Sequence, residues 1–294
     1  MYSIGMASNA QGEASEPLPT VWQTFTDEGV KFRRGEFVLI AAAPGVGKSA
    51  LALTLAIKSG KKVLYFSADS GARVQRARAA SILTKDPVTS YLEGIDKNDT
   101  EQMDRLLSNM LSHVWFDFDA SPELETLEEV TRCYAHLYGW PDVIVVDNVS
   151  NVYAGDTEGF AGLEAVCDYL NELARQTDAV VIGLHHLIGE YEAGDKPAPL
   201  SGLRGKISKI PTLILNLFRE TETTMGVAVV KNRSGKANAA GSFWLTLDAD
   251  LSTMQITDPV HQMPDNLTEF HSRLVDPVTD WNEARRAEEM AYAA

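Results

Sequence analysis

The segment Ala42-Ala43-Pro44-Gly45-Val46-Gly47-Lys48-Ser49 has the residue order of a phosphate-binding loop, with Ala42 where the strict pattern opens on Gly. Gly45 and Gly47 let the backbone turn its N–H groups inward around phosphate oxygens, and a helix starting there adds the positive end of its dipole. Lys48 is then placed to reach the β- and γ-phosphates, and the Ser49 hydroxyl to ligate Mg²⁺. The expected nucleotide contacts are Ala43, Pro44, Gly45, Val46, Gly47, Lys48, Ser49 and Ala50, with ATP and Mg²⁺ as cofactors. A Mg²⁺-bound nucleotide needs a further carboxylate at the tip of a neighbouring strand. Asp147 closes the apolar run Val143–Val146, so Ser49 and Asp147 are the expected metal ligands. The residue after Asp147 is Asn148, not an acid, so the base that activates water must come from elsewhere. Asp69 follows the next apolar run, Lys62–Ser67, whose tip in a parallel sheet shares an edge with the phosphate loop; it is the candidate base.

These groups need a scaffold that brings strand tips together. Short apolar runs at Phe37–Ala43, Lys62–Ser67, Val114–Phe118, Val143–Val146, Ala179–Leu184 and Thr212–Leu217 alternate with stretches of helical period near 48–59, 72–83, 98–111, 122–137 and 159–176. That alternation predicts an α/β fold, a mostly parallel twisted sheet flanked by helices. Val227–Lys231 and Ser242–Leu247 flank a Gly- and Asn-rich connection and predict a C-terminal antiparallel hairpin. Residues 1–19 read as a flexible tail, 20–257 as one domain, and 258–294 as an acidic tail with one short helix near Trp281–Ala291.

Composition narrows the function classes. With 45% hydrophobic residues in 294 the chain is globular, not disordered. It lacks an apolar run of roughly 18 residues and a basic-then-apolar N-terminus, so neither a membrane span nor a signal peptide is expected, and the chain reads as cytoplasmic. Cys133 and Cys167 lack metal-ligand spacing and read as reduced thiols. A net charge of −15 argues against a general nucleic-acid coat protein. The charge is uneven, however: residues 200–240 carry seven basic and two acidic side chains, while 88–130 carry eleven acidic and two basic ones, read as a solvated face.

GEFVLIAAAPGVGKSALALTLA, KKVLYFSAD, VIVVDN, VVIGLHHL, LSGLRGKI and VKNRSGKA, in that order and spacing, resemble the RecA-like motor domain of DnaB-type replicative helicases, in the style of the small DnaB-like helicases of actinobacterial phages. The resemblance spans Lys31 to Leu247. It implies a RecA-like P-loop fold and an ATP-driven helicase or translocase on single-stranded DNA. Asp69 stands where that family has a Glu that polarises water, one methylene longer. His186 matches its γ-phosphate sensor, with His185 the weaker match. Residues 188–199 and Leu203–Lys209 match its two DNA loops, giving Arg204, Lys206 and Lys209 as backbone-phosphate contacts. Lys231 and Arg233 match the pair that projects into the neighbouring subunit's ATP site, which implies a homo-oligomer, a hexameric ring. The family's N-terminal collar domain is not expected in the 35 residues before Glu36, leaving primase and loader contacts open. Two other readings share the core: a filament-forming recombination or annealing ATPase, and an ATP-switched regulator without unwinding activity.

Overall fold

The computed structural model describes residues 16–155, 159–203, 205 and 207–259; residues 1–15, Arg204, Lys206 and the helix expected near Trp281–Ala291 lie outside the described residues. Strand β1 (Phe37–Ala42) shows why the sheet forms, because all of its residues are buried. Successive side chains of a strand face opposite sides. Val38, Ile40 and Ala42 accordingly enter one apolar cluster, and Phe37, Leu39 and Ala41 the other. Burying a side chain such as Phe37 or Leu39 contributes roughly 1.5–3 kcal/mol. A strand apolar on both faces belongs inside a sheet covered on both sides by helices.

β2 (Val63–Ser67), β3 (Val114–Asp117), β4 (Val143–Asp147), β5 (Val180–His186) and β6 (Leu213–Arg219) join β1 in a parallel array. β7 (Thr224–Asn232), β8 (Trp244–Asp250) and β9 (Gln255–Thr257) continue it antiparallel. The nine strands run in the order β3-β2-β4-β5-β1-β6-β7-β8-β9. The mostly parallel α/β sheet is the one the run pattern implies. Its far side is larger than the single hairpin expected at 227–231 and 242–247. There is a third antiparallel strand, reached by a turn in which Asp250 Oδ1 accepts from the Ser252 N–H at 2.9 Å. β9 is too short to show alternation, and tertiary burial of Ile256 holds it in place.

The helices are α1 (Gln23–Asp27), α2 (Lys48–Lys58), α3 (Ala72–Thr84), α4 (Val88–Asp96), α5 (Glu101–Met110), α6 (Leu124–Tyr138) and α7 (Gly159–Thr177). Phe25, Leu51, Leu55 and Ile82 of α1 to α3 cover one face, and Leu127, Val166 and Leu170 of α6 and α7 the other. Helix α4 is absent from the periodicity reading. It has no fully buried residue, and its start is marked only by Pro87 at the cap. The acidic block is more than a solvated face: Asp96 pairs with Arg73 at 2.6 Å and Asp104 with Arg76, tying α4 and α5 to α3. Exposed pairs of this kind contribute at most about 1 kcal/mol each, so they orient α4 more than they stabilise it. Among the described residues no helix is long and apolar enough to cross a membrane.

Candidate functional site

The phosphate loop lies between the tip of β1 and α2. Gly47 precedes Lys48 with φ of 114°, a conformation open to glycine, and a Cβ there would come within 2.7 Å of Met225 Cε. Helix α2 starts with no acidic residue in its first turn and no side-chain cap, so its free N–H groups are available to an anion. Lys48 is 6% exposed and makes no salt bridge among the described residues. The Asp147 carboxylate is near enough to feel its charge but does not pair with it directly, and a phosphate in the loop would.

Pro44, Gly45, Gly47, Lys48, Ser49 and Ala50 line a cavity of about 580 Å³ together with Asp69 and His186. The strand tips opposite are tied by backbone: the N–H groups of Ala68 and Asp69 both donate to the Asp147 carbonyl, at 2.8 and 3.2 Å. Asp147 is fully buried, and its Oδ1 has no hydrogen-bond partner. Burial pushes its carboxyl above the usual range, opposed by Ser49, Lys48 and Tyr65. An orphaned carboxylate oxygen beside a loop serine suits a hard cation. Among the described residues no group of three or more His, Cys, Asp or Glu could hold a metal ion, so a cation here needs phosphate oxygens to complete its shell. ATP with Mg²⁺ fits these residues. At the opposite end of β4, Asp142 has a structural task, pairing with Arg34 at 2.5 Å and accepting from the Lys62 N–H.

Of the two histidines, His185 is fully buried and His186 reaches the cavity. Ser150 Oγ donates to Asn148 Oδ1 at 3.1 Å, which leaves the Asn148 amide to donate to His186 Nε2 at 2.8 Å. The neutral ring then carries its proton on Nδ1. Burial, and next the Lys48 charge, pull the His186 pKa below its ordinary value. The unfolded chain therefore binds a proton that the folded site refuses, and stability falls as pH drops through the unfolded value of about 6.5. His186→Gln is expected to flatten the fall in stability between pH 7 and 5 relative to wild type, as read by urea unfolding at each pH.

Several lining residues carried no motif. Arg78 of α3 faces the cavity and its Nη1 donates to Ser70 Oγ at 3.2 Å. Val88, Leu251 and Met254 form an apolar wall beyond the loop. They come from α4 and the β8–β9 turn, joined where the Val88 N–H donates to the Ser252 carbonyl. No motif or spacing in the residue order marks Arg78, which the packing of α3 brings to the cavity. A larger cavity of about 810 Å³ between α6 and α7, lined by Thr131, Arg132, Trp140 and Tyr169, has no phosphate loop beside it.

The other expected residues lie elsewhere. Arg233 donates its backbone N–H to the Thr212 carbonyl, and Thr212 N–H donates to Phe37, at the start of β1. The phosphate loop follows the other end of that strand, about 20 Å away at the usual rise per residue. Lys231 Nζ donates to the carbonyls of Ser208 and Lys209, at 2.7 and 2.8 Å. Burial, with Arg233 adding to it, lowers the Lys231 pKa to about 8. Lys209 is exposed; Arg204 and Lys206 lie outside the described residues. The segment 188–209 thus runs from the tip of β5, beside His186, to the Lys231 contacts. Gly194 within it packs on the phosphate loop so closely that a Cβ would meet Val46 Cγ2 at 2.5 Å. Phe160, 62% exposed, lies beside Gly205.

Residues 28–188 match a family model described as an AAA domain. The chain is 39% identical to the Gene 65 protein of Mycobacterium phage L5, over 89% of this chain and 100% of that protein. Over 76% of this chain it is 40% identical to the Gene 65 protein of Mycobacterium phage D29. It is also 27% identical to a probable plasmid replicative DNA helicase of Chlamydia psittaci, over 74% of this chain and 51% of that protein. A solved ATPase domain superposes with a TM-score of 0.72 at 17% identity, covering 87% of this chain and 96% of that one. A DnaB-like replicative helicase, solved with its interactions with primase, superposes with a TM-score of 0.71 at 20% identity, covering 86% and 64%. The mostly parallel sheet with antiparallel C-terminal strands is therefore the RecA-like fold of DnaB-type ATPase domains.

Proposed function

Because this chain belongs to the AAA-domain family, we propose that it is an ATP-hydrolysing motor of the DnaB type, moving on single-stranded DNA as a ring of identical subunits. The observation that carries this reading is the separation within one chain of two halves of a phosphoryl-transfer site. Lys48, Ser49, Asp69 and Asp147 gather at one edge of the sheet, and Lys231 and Arg233 stand about 20 Å away at the other. If the second pair acts on a nucleotide, it acts on a neighbour's.

Within one subunit the N–H groups of the loop and Lys48 hold the phosphates. Mg²⁺, when bound with the nucleotide at Ser49 and Asp147, supplies charge neutralisation at the phosphate oxygens. Asp69 accepts the proton of the water that attacks the γ-phosphorus, and the bond to the β-phosphate oxygen breaks to release ADP. His186, fixed through Nε2 by the Asn148 amide, lies against the terminal phosphate and senses its presence. Arg233 and Lys231 of the adjacent subunit neutralise charge that builds up on the transferred group. Loss of the phosphate is felt at His186 and passes along 188–209. At the end of that segment Lys209 stands beside Lys231, with Arg204 and Lys206 assigned to the DNA backbone by their place in the sequence. A host cytoplasm is the natural setting for such an enzyme among phage-encoded relatives.

The deciding experiment measures ATPase rate with and without single-stranded DNA, alongside unwinding of a forked duplex. Stimulation by DNA together with unwinding is the expected result. An ATPase indifferent to DNA points to an ATP-switched regulator, and ATP-dependent filaments in electron micrographs point to strand annealing or recombination.

A further inference from the structure

The carboxylate at the tip of β4 is held by a group that no phosphate-loop motif contains. Tyr65, in the middle of β2, is fully buried, and its hydroxyl donates to Asp147 Oδ2 at 3.0 Å. Parallel register makes this contact possible: Ser67 pairs with Asp147, and Tyr65 stands two residues earlier on the same face. The ring is fixed by its neighbours, with Phe116 at 5.2 Å between centroids and the apolar cluster beneath α2 around it. A phenol buried this deeply is unfavourable unless its hydroxyl is bonded, and its partner here is Asp147. Asp147 therefore has one oxygen committed to Tyr65 and the other, Oδ1, without a hydrogen-bond partner.

We propose that Tyr65 is a positioning residue for the metal ligand: its hydroxyl fixes the rotamer of Asp147, whose carboxyl neighbours Ser49, so that Oδ1 is left for the cation that accompanies the nucleotide. The inference rests on Asp147 being the metal ligand of the proposed ATPase. A phenylalanine would fill the same space and pack on Phe116 equally well, so packing alone does not call for the hydroxyl. Partners of this kind orient a ligand before the metal arrives, and losing one typically weakens metal binding by about 10- to 100-fold.

The test uses the full chain with Mn²⁺ as the probe, counted by electron paramagnetic resonance in the presence of ADP. A fluorescent ATP analogue in EDTA reports nucleotide binding without metal. Tyr65→Phe is expected to stay folded with a modestly lowered melting temperature, to keep the metal-free nucleotide affinity, and to weaken Mn²⁺ binding by about tenfold. Asp147→Asn is expected to lose the Mn²⁺ site. Wild-type Mn²⁺ affinity in Tyr65→Phe overturns the positioning role while leaving the Asp147 assignment standing. A matching loss of metal-free nucleotide affinity in that variant also overturns it, by showing a general disturbance of the site. Wild-type Mn²⁺ affinity in Asp147→Asn removes the metal ligand itself and the proposal with it.

Discussion

Arg233→Ala is expected to slow ATP turnover by about 10³- to 10⁵-fold while leaving the fold and nucleotide binding unchanged. The size of the effect follows from the role: a guanidinium aimed at the transferred phosphoryl group offsets charge that grows in the transition state, in a site that excludes water. The fold is spared because the Arg233 side chain stands outside the apolar clusters. Its contact within the chain is a long one, 3.5 Å from Nη2 to the Lys209 carbonyl. Arg233 lies beside the start of β1 and the phosphate loop follows its end, so the expected loss is one of catalysis between subunits. Mixing makes this measurable. Arg233→Ala subunits retain an intact phosphate loop, and Lys48→Ala subunits retain an intact Arg233; combined, they should recover part of the activity that neither has alone. Full-rate hydrolysis by a strictly monomeric preparation would show that no residue is shared between subunits.

Asp69→Asn is expected to retain ATP binding and to lower turnover by about 10²- to 10⁴-fold, the usual contribution of a general base. The substitution keeps the shape of the side chain and removes its ability to take a proton. The turn that carries it is held independently of its carboxylate. Ser67 Oγ donates to the Ser70 carbonyl at 2.6 Å, Gln75 Nε2 donates to Ser67 Oγ at 2.8 Å, and the Asp69 N–H is bonded to Asp147. Binding in the variant, followed with a fluorescent nucleotide, separates loss of chemistry from loss of the pocket. Unchanged turnover would move the base elsewhere in the cavity.

The two variants divide the site as the fold does. In the proposed mechanism Asp69 works on the water within its own subunit, and Arg233 on the phosphoryl group of the next. His186 sits between these tasks. It touches the nucleotide cavity, and the segment that follows it ends at the carbonyls that hold Lys231. That path gives phosphate release a covalent route to the residues expected to contact DNA and a neighbour, in one continuous segment of chain.

Much of this was legible from residue order because it depends on neighbours in the chain. The phosphate loop needs glycines, lysine and serine at fixed spacing between a strand and a helix, and all of those sit within one short segment. Asp69 and Asp147 follow from a rule about parallel sheets, that strand tips share an edge, once the apolar runs are recognised as strands. Periodicity separates buried strands from amphipathic helices, and so yields the fold class. It misses α4, which buries little, and β9, which is too short to alternate.

What the sequence alone determined, then, is the inventory: a phosphate loop, two strand-tip carboxylates, a histidine after a strand and a basic pair in an antiparallel segment. Tertiary structure decided the partnerships. Tyr65 meets Asp147 across 82 residues, Asn148 meets His186 across 38, and Lys231 meets Ser208 across 23. Each depends on which strands lie side by side and in what register. That choice is made by burying two apolar faces at once under the flanking helices, a property of the whole fold that no local spacing records.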